Sequence, residues 1–254
     1  MEFEVPKNHP RYHSLYYRHL LERGLEEGVV VKTGLIAHGR GEAFDYLIGE
    51  RTQSFARKAV EAAAALLLIA DYPIVSVNGN VAALVPGEAV ALAKELDTAV
   101  EVNLFYRTTE RERVIYEKLK EIDSGMRILG GPGDATYKIP GLESNRGLVD
   151  PRGIARADVV LVPLEDGDRT EKLRDMGKNV ITIDLNPLSR SARFADITIV
   201  DNIVRCLPLL TKKVRQLKHA GEEELVEIVN NYDNKKILKE ALRFISERLS
   251  NMEL

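Results

Sequence analysis

The chain has 254 residues, of which 44% are apolar and 30% charged, with one cysteine and a formal net charge of −3 at pH 7. This length supports one large or two small domains, and the glycine and proline content excludes collagen-like and disordered chains. The near-neutral charge predicts no nucleic-acid or membrane partner, and a lone cysteine excludes an internal disulfide. Residues 1–14 lack the apolar core of a signal peptide, and the longest apolar run, residues 62–70, is about half of a membrane span. We therefore expect a cytoplasmic protein.

The first quarter of the chain is predicted to be helical. Asn8 and Pro10 are typical of the start of a first helix. Residues 52–70 form a second, long helix whose later half is apolar on nearly every face, which indicates burial in the core or in a subunit contact.

Residues 33–41 contain three glycines and are interpreted as a loop. The spacing approaches that of a Walker A motif, but arginine replaces its lysine and glycine replaces its serine or threonine. The loop is either a break between two helices or a phosphate-contacting loop with Arg40 as the cation. His38 lies in it and is the one histidine that we consider for a direct role.

Short β-branched runs alternate with helical patterns through the rest of the chain, at residues 74–77, 99–102, 127–129, 159–162, 180–183 and 197–200. This alternation predicts an α/β fold with a parallel sheet flanked by helices. We expect a helical region at residues 1–72, packed on an α/β core at residues 73–254 that ends in C-terminal helices, as one compact unit.

Asparagine and aspartate follow most of the predicted strands, at Asn78-Gly79-Asn80, Asn103, Asp184-Leu185-Asn186 and Asp201-Asn202. Each could simply cap the next helix, but the carboxyl ends of parallel strands meet at one rim, where ligands bind. A glycine-rich stretch at residues 130–147 follows another strand. The rim is therefore interpreted as a small-molecule site.

The later strands suggest a nucleotide. Asp184 could accept the hydroxyls of a ribose, and residues 187–193 supply two arginines and two serines suited to phosphate oxygens. No dinucleotide fingerprint, G-x-S-x-G elbow or H-E-x-x-H motif is present. Cys206 is interpreted as a packing residue, and His9 and His13 as capping or surface residues rather than metal ligands.

Several blocks of the sequence resemble the archaeal phosphopantothenate synthetases, the 4-phosphopantoate–β-alanine ligases of coenzyme A synthesis. The blocks are residues 11–30, 34–52, 77–84, 138–144, 157–169 and 181–208. The resemblance implies a Rossmann-like homodimer that joins 4-phosphopantoate to β-alanine through an acyl adenylate, converting ATP to AMP and diphosphate with Mg²⁺.

The resemblance also implies roles for individual residues. ATP would be bound by Arg18, Arg40, Asp184, Leu185, Asn186, Arg190, Ser191, Asn202 and Ile203. The candidates for catalysis are Arg40, Arg190, His38 and Lys138. Asn78, Gly79, Asn80 and Lys138 are expected to bind 4-phosphopantoate, at a helix start and in the long loop that would close over the acid. No metal ligand is predicted, and Arg18 and Arg40 could act within one chain or across the dimer.

Two alternatives from other classes use the same pocket. One is a non-catalytic adenine-nucleotide sensor, which would show no turnover. The other is a pantoate-type kinase, which would release ADP rather than AMP.

Overall fold

The computed structural model describes residues 3–252 and contains a central parallel sheet. The strands are β1 (Pro73–Val77), β2 (Ala99–Val102), β3 (Ile128–Leu129), β4 (Tyr137–Lys138), β5 (Leu148–Val149), β6 (Val159–Pro163), β7 (Asn179–Ile183) and β8 (Ile197–Ile199). Six of them pair side by side in the order β3-β2-β1-β6-β7-β8, with every pairing parallel. Each predicted strand is confirmed to within one residue at either end.

Strands β1 and β6 lie next to each other at the centre of the sheet, with Ile74 opposite Val160. The chain builds the sheet outwards from β1 in one direction and from β6 in the other. Such a switch point leaves a crevice beyond the carboxyl ends of the central strands. Strands β1 and β6 are largely apolar and buried along their whole length, as expected for a parallel sheet with helices on both faces.

The helices are α1 (Tyr12–Glu26), α2 (Lys32–Ile48), α3 (Ser54–Ile69), α4 (Gly79–Leu84), α5 (Pro86–Glu95), α6 (Thr109–Ile122), α7 (Gly167–Asp175), α8 (Arg190–Phe194), α9 (Ile203–Leu217), α10 (Glu222–Asn230) and α11 (Asn234–Ser250). Among residues 3–252, no helix combines the length and the apolar character that crossing a bilayer requires.

Helix α3 lies in the core of the chain. It packs against α9, α10 and β8, and its alanines and leucines are buried there. Helix α9 has an apolar stripe in which Leu207, Leu210 and Val214 are fully buried, and Cys206 is buried beside them, as predicted for a packing residue. Within the described residues, the apolar helix α3 therefore packs into the core of its own chain.

Three local predictions were wrong. Helix α1 begins after Arg11, so Asn8 and Pro10 lie outside it. Residues 33–41 form no loop, since α2 runs through them without a break. Of the three glycines, only Gly34 is needed for close packing, since a Cβ on it would lie 2.4 Å from Oδ1 of Asn80. The third prediction was a long loop at residues 130–147. This stretch contains β4, which pairs with β5 just after it, so it is only partly irregular.

Candidate active site

A cavity of about 690 Å³ lies beyond the carboxyl ends of the strands, between the sheet and α2. Its volume is that of a typical small-molecule site. The cavity brings together most of the predicted site residues: His38, Arg40, Asn78, Gly79, Asn80, Asp184, Leu185, Asn186, Arg190, Ser191, Asn202 and Ile203. Arg18 and Lys138 do not line it.

The turn after β7 presents a carboxylate held in place by its own loop. Asp184 accepts a hydrogen bond from the backbone N–H of Asn186 at 2.9 Å, and the Ser189 hydroxyl donates to its other oxygen. Burial raises the pKa of Asp184, and the Ser189 hydrogen bond opposes this effect. Each oxygen keeps a second lone pair, so the fixed carboxylate can accept two hydroxyl donors from a ligand.

Arg190 begins α8 at the rim of the cavity, and its guanidinium is turned towards α7. It forms ion pairs with Asp168 and with Glu171, the latter at 3.0 Å, and its side chain is more than half exposed. Gly167 permits this packing, since a Cβ there would lie 2.2 Å from Cβ of Arg190. An anion in the cavity would therefore have to compete with two carboxylates for this guanidinium.

Helix α2 supplies the wall opposite the sheet. Arg40 lies on it with no hydrogen bond or ion pair to any residue between 3 and 252, and its charge acts on Asp184 across the cavity. Burial lowers the pKa of His38, with the nearby Glu42 opposing the shift. His38 is consequently a neutral imidazole at pH 7, which can accept a proton.

The turn after β8 is tied to α2 by a polar network. The Asn202 side chain donates to Asp45 at 2.8 Å, and Arg205 bridges Asp45 and Asp201. Asn202 also caps α9 by accepting from the backbone N–H of Val204 at 3.3 Å. This network fixes the position of α2 over the rim.

The segment after β1 is held mainly by the fold itself. The Asn78 side chain accepts from Val81 N at 3.1 Å as a helix cap, and donates to the carbonyls that follow β6. The Asn80 side chain donates to the Gly34 carbonyl at 2.9 Å. The side-chain amides of Asn78 and Asn80 are therefore largely engaged in hydrogen bonds within the fold. Gly79 lines the cavity and, because it has no side chain, leaves space there.

Two predicted residues lie elsewhere in the chain. Arg18 of α1 forms an ion pair with Glu42 of α2 at 2.6 Å, and its charge acts on His38. Lys138 lies on β4, where its half-exposed side chain pairs with Glu143 at 3.1 Å. Their roles in binding stay predictions, and both would need a movement or a second chain to reach the cavity.

Sequence reasoning missed the charged residues at the centre of the cavity. Glu165 and Asp166 follow β6, and Arg146 from the long loop forms ion pairs with both. Glu165 also pairs with Arg169, which is completely buried. Arg111 of α6 is the other guanidinium on this wall. Of these residues, only Glu165 and Asp166 could have been found from the sequence, because they follow strand β6 at the switch point of the sheet.

No group of three histidine, cysteine or acidic side chains within residues 3–252 is arranged to hold a metal ion. The cavity does present the carboxylates of Asp166 and Asp184. One or two carboxylates together with ligand phosphates are the usual donors for Mg²⁺, so these residues fit a metal carried by a bound nucleotide.

Comparison with known proteins identifies the family of this chain. A model of the phosphopantothenate/pantothenate synthetase family matches residues 55–248. Proteins named 4-phosphopantoate–β-alanine ligase are 59% identical in Thermococcus kodakarensis, over 98% of this chain and 94% of the relative, and 50% identical in Methanosarcina mazei, over 98% and 97%. A ligase of the same name from Thermococcus onnurineus is 58% identical over 98% and 95%. The chain therefore belongs to the phosphopantothenate/pantothenate synthetase family.

Proposed function

We propose that the chain is an ATP-dependent ligase that condenses 4-phosphopantoate with β-alanine for coenzyme A biosynthesis, releasing AMP and diphosphate. The observation that carries this proposal is the near-full-length identity to relatives of that name, at 59% in one case. The cavity supports it, because it offers cations for phosphates and a carboxylate for a ribose at the switch point of the sheet.

The nucleoside of ATP would lie at the ends of β7 and β8. Asp184 would accept the ribose hydroxyls, with Leu185, Asn186, Asn202 and Ile203 around the base. Ser191 lies behind this turn, where its hydroxyl donates to the carbonyl of Glu165. That contact leaves Ser191 a supporting role beside the nucleotide.

The phosphates of ATP would be bound by Arg40 and Arg190. Arg40 lies in the cavity wall, and no carboxylate of residues 3–252 forms an ion pair with it, so it can contact an anion directly. Arg190 would exchange Asp168 and Glu171 for phosphate oxygens. Mg²⁺ bound to the same phosphates would neutralise part of their charge, with Asp166 as its carboxylate ligand from the cavity wall.

The reaction would proceed in two displacements. A carboxylate oxygen of 4-phosphopantoate attacks the α-phosphorus of ATP, the bond to the bridging oxygen breaks, and diphosphate leaves. The amine of β-alanine then attacks the acyl carbon, AMP leaves, and the amine loses a proton. The substrate supplies the nucleophile in both steps, so the protein has to position the groups and stabilise charge. His38, which lines the cavity and whose pKa is lowered by burial, would accept that proton.

We also propose that the chain acts as a homodimer. Arg18 lies outside the cavity of its own chain, so its contact with ATP is most simply made in a partner's site. Apolar side chains are exposed near the cavity rim, with Ile36 72% and Leu188 58% exposed. Light scattering should give twice the mass of one chain, and a monomer that is fully active would contradict this assembly.

A product assay tests the proposed function. The protein is incubated with ATP, Mg²⁺ and β-alanine, and with either pantoate or 4-phosphopantoate. Formation of AMP and diphosphate in step with an amide is expected with 4-phosphopantoate. ADP would indicate a kinase, and no turnover would indicate a nucleotide sensor.

A further inference from the structure

The cavity has a second cationic wall, away from the side assigned to the nucleotide. Arg111 of α6 and Arg146 of the long loop lie on it, beside the turns that follow β1, β2 and β6. Asp184, Arg190 and Asn202 come from the turns after β7 and β8. In the sheet order β3-β2-β1-β6-β7-β8, the first group of turns lies towards the β3 edge and the second lies at the β8 edge, so the cavity has two charged sides.

Arg111 has no counter-ion among the residues that the structure describes. Its guanidinium donates to the carbonyls of Val29, at 2.7 Å, and Tyr106, while Nε is buried without an acceptor. No carboxylate of residues 3–252 lies within ion-pair distance of it. Arg107, four residues earlier in the chain, pairs instead with Glu112 and lies outside the cavity. A half-buried charge without a partner is costly unless a ligand supplies the opposite charge.

Arg146 is more than nine-tenths buried and lines the same wall. Glu165 and Asp166 lie within ion-pair distance of it, but Nε and Nη1 have no hydrogen-bond acceptor in a suitable direction. Its backbone is anchored, since the buried Asn103 donates to the carbonyls of Arg146 and Leu148. Arg146 is thus a fixed guanidinium on the wall of the cavity, and an anion bound there would compete with Glu165 and Asp166 for it.

We propose that Arg111 and Arg146 together bind the phosphate group of 4-phosphopantoate, an inference that rests on the proposed function. A phosphate monoester carries up to two negative charges and three acceptor oxygens. Two guanidinium groups therefore bind it better than they would bind a carboxylate, which has one charge and two oxygens. The carboxylate of the same substrate must instead approach the α-phosphorus of ATP, towards the side of Asp184. The two arginines would therefore distinguish 4-phosphopantoate from pantoate.

Lysine replacements test this subsite, because lysine keeps the charge but not the planar set of donors. For Arg111→Lys and Arg146→Lys, kcat/KM is measured with 4-phosphopantoate and with pantoate at saturating ATP and β-alanine. We expect a loss of about 10- to 100-fold with 4-phosphopantoate, from weakened charge-assisted hydrogen bonds, and a change of less than about threefold with pantoate. The KM for ATP should stay within about threefold. Arg107→Lys is the matched control and should leave the ratio of the two substrates unchanged.

Equal losses with both acids, an unchanged ratio, or a rise confined to the KM for ATP would each overturn the subsite. A binding titration separates its failure from that of the proposed function. The acids 4-phosphopantoate and pantoate are titrated calorimetrically into the protein with a non-hydrolysable ATP analogue. Tighter binding of 4-phosphopantoate that depends on both arginines, without amide formation, would sustain the subsite and refute the ligase. Normal amide formation, together with unaltered binding of 4-phosphopantoate by the variants, would refute the subsite and sustain the ligase.

Discussion

Replacement of Gly79 by alanine should displace Arg111 from the cavity wall. Gly79 is the first residue of α4, and its helical backbone is one that alanine adopts freely. The added Cβ would nevertheless lie 2.4 Å from the Val29 carbonyl oxygen and 2.8 Å from Nη2 of Arg111. Val29 is fully buried, so its carbonyl has little room to withdraw. The substitution therefore acts on the contact between Arg111 and Val29.

The magnitude follows from two costs. Forcing a methyl group into a packed site costs about 1 to 3 kcal/mol. Losing the hydrogen bond from a charged guanidinium to the Val29 carbonyl adds about 1.5 to 3 kcal/mol. We expect Gly79→Ala to lower the free energy of unfolding by about 3 to 5 kcal/mol, which for a chain of this size corresponds to a fall in Tm of roughly 6 to 20 °C.

Thermal unfolding followed by circular dichroism measures the stability, and kcat/KM with 4-phosphopantoate and pantoate measures the effect on the site. Gly87→Ala is the control, because a Cβ at that position would have no atom within 4 Å and the residue is in the first turn of α5. That variant should change stability by less than about 1 kcal/mol, in the stabilising direction. Wild-type Tm and an unchanged substrate ratio in Gly79→Ala would refute the reasoning.

Three further predictions concern single side chains. Arg40→Ala and Arg190→Ala should each lower kcat/KM for ATP by about 10²-fold, with partial recovery in the lysine variants, and wild-type kinetics would remove that residue from the phosphate site. Lys138→Ala should raise the KM for 4-phosphopantoate and increase AMP release without amide, whereas unaltered kinetics would exclude Lys138 from the reaction. Burial raises the pKa of Glu101 from its ordinary 4.5 to about 7. The folded state thus binds the extra proton, and stability should fall by up to about 3 kcal/mol between pH 4.5 and 7. Glu101→Gln should abolish that part of the pH dependence in urea unfolding, and an identical pH dependence in both proteins would contradict the shift.

The sheet could be predicted because its strands are short apolar runs separated by helical patterns, and such runs depend little on distant residues. The rim of the sheet was also predictable, since parallel strands place their carboxyl ends together. Asp184 and Asn202 were found for this reason. Helix α2 was missed because its glycines are unfavourable in an isolated helix, and only the packing of Gly34 against Asn80 explains one of them.

The cationic wall could not be predicted from local patterns. Arg111 reaches the cavity because α6 packs beside Val29, which is 82 residues earlier in the chain. Arg146 is fixed by Asn103 and by the residues after β6, through contacts that span 19 to 43 residues. In the sequence, both look like ordinary surface arginines of a helix and a loop.

The fate of one oxygen atom tests the account most directly. The carboxylate of 4-phosphopantoate is labelled with ¹⁸O, and the products of a complete reaction with ATP, Mg²⁺ and β-alanine are examined by mass spectrometry. Attack of that carboxylate on the α-phosphorus predicts one ¹⁸O in AMP for every amide bond formed, and none in diphosphate. Label in orthophosphate together with ADP, or amide formed with unlabelled AMP, would contradict it.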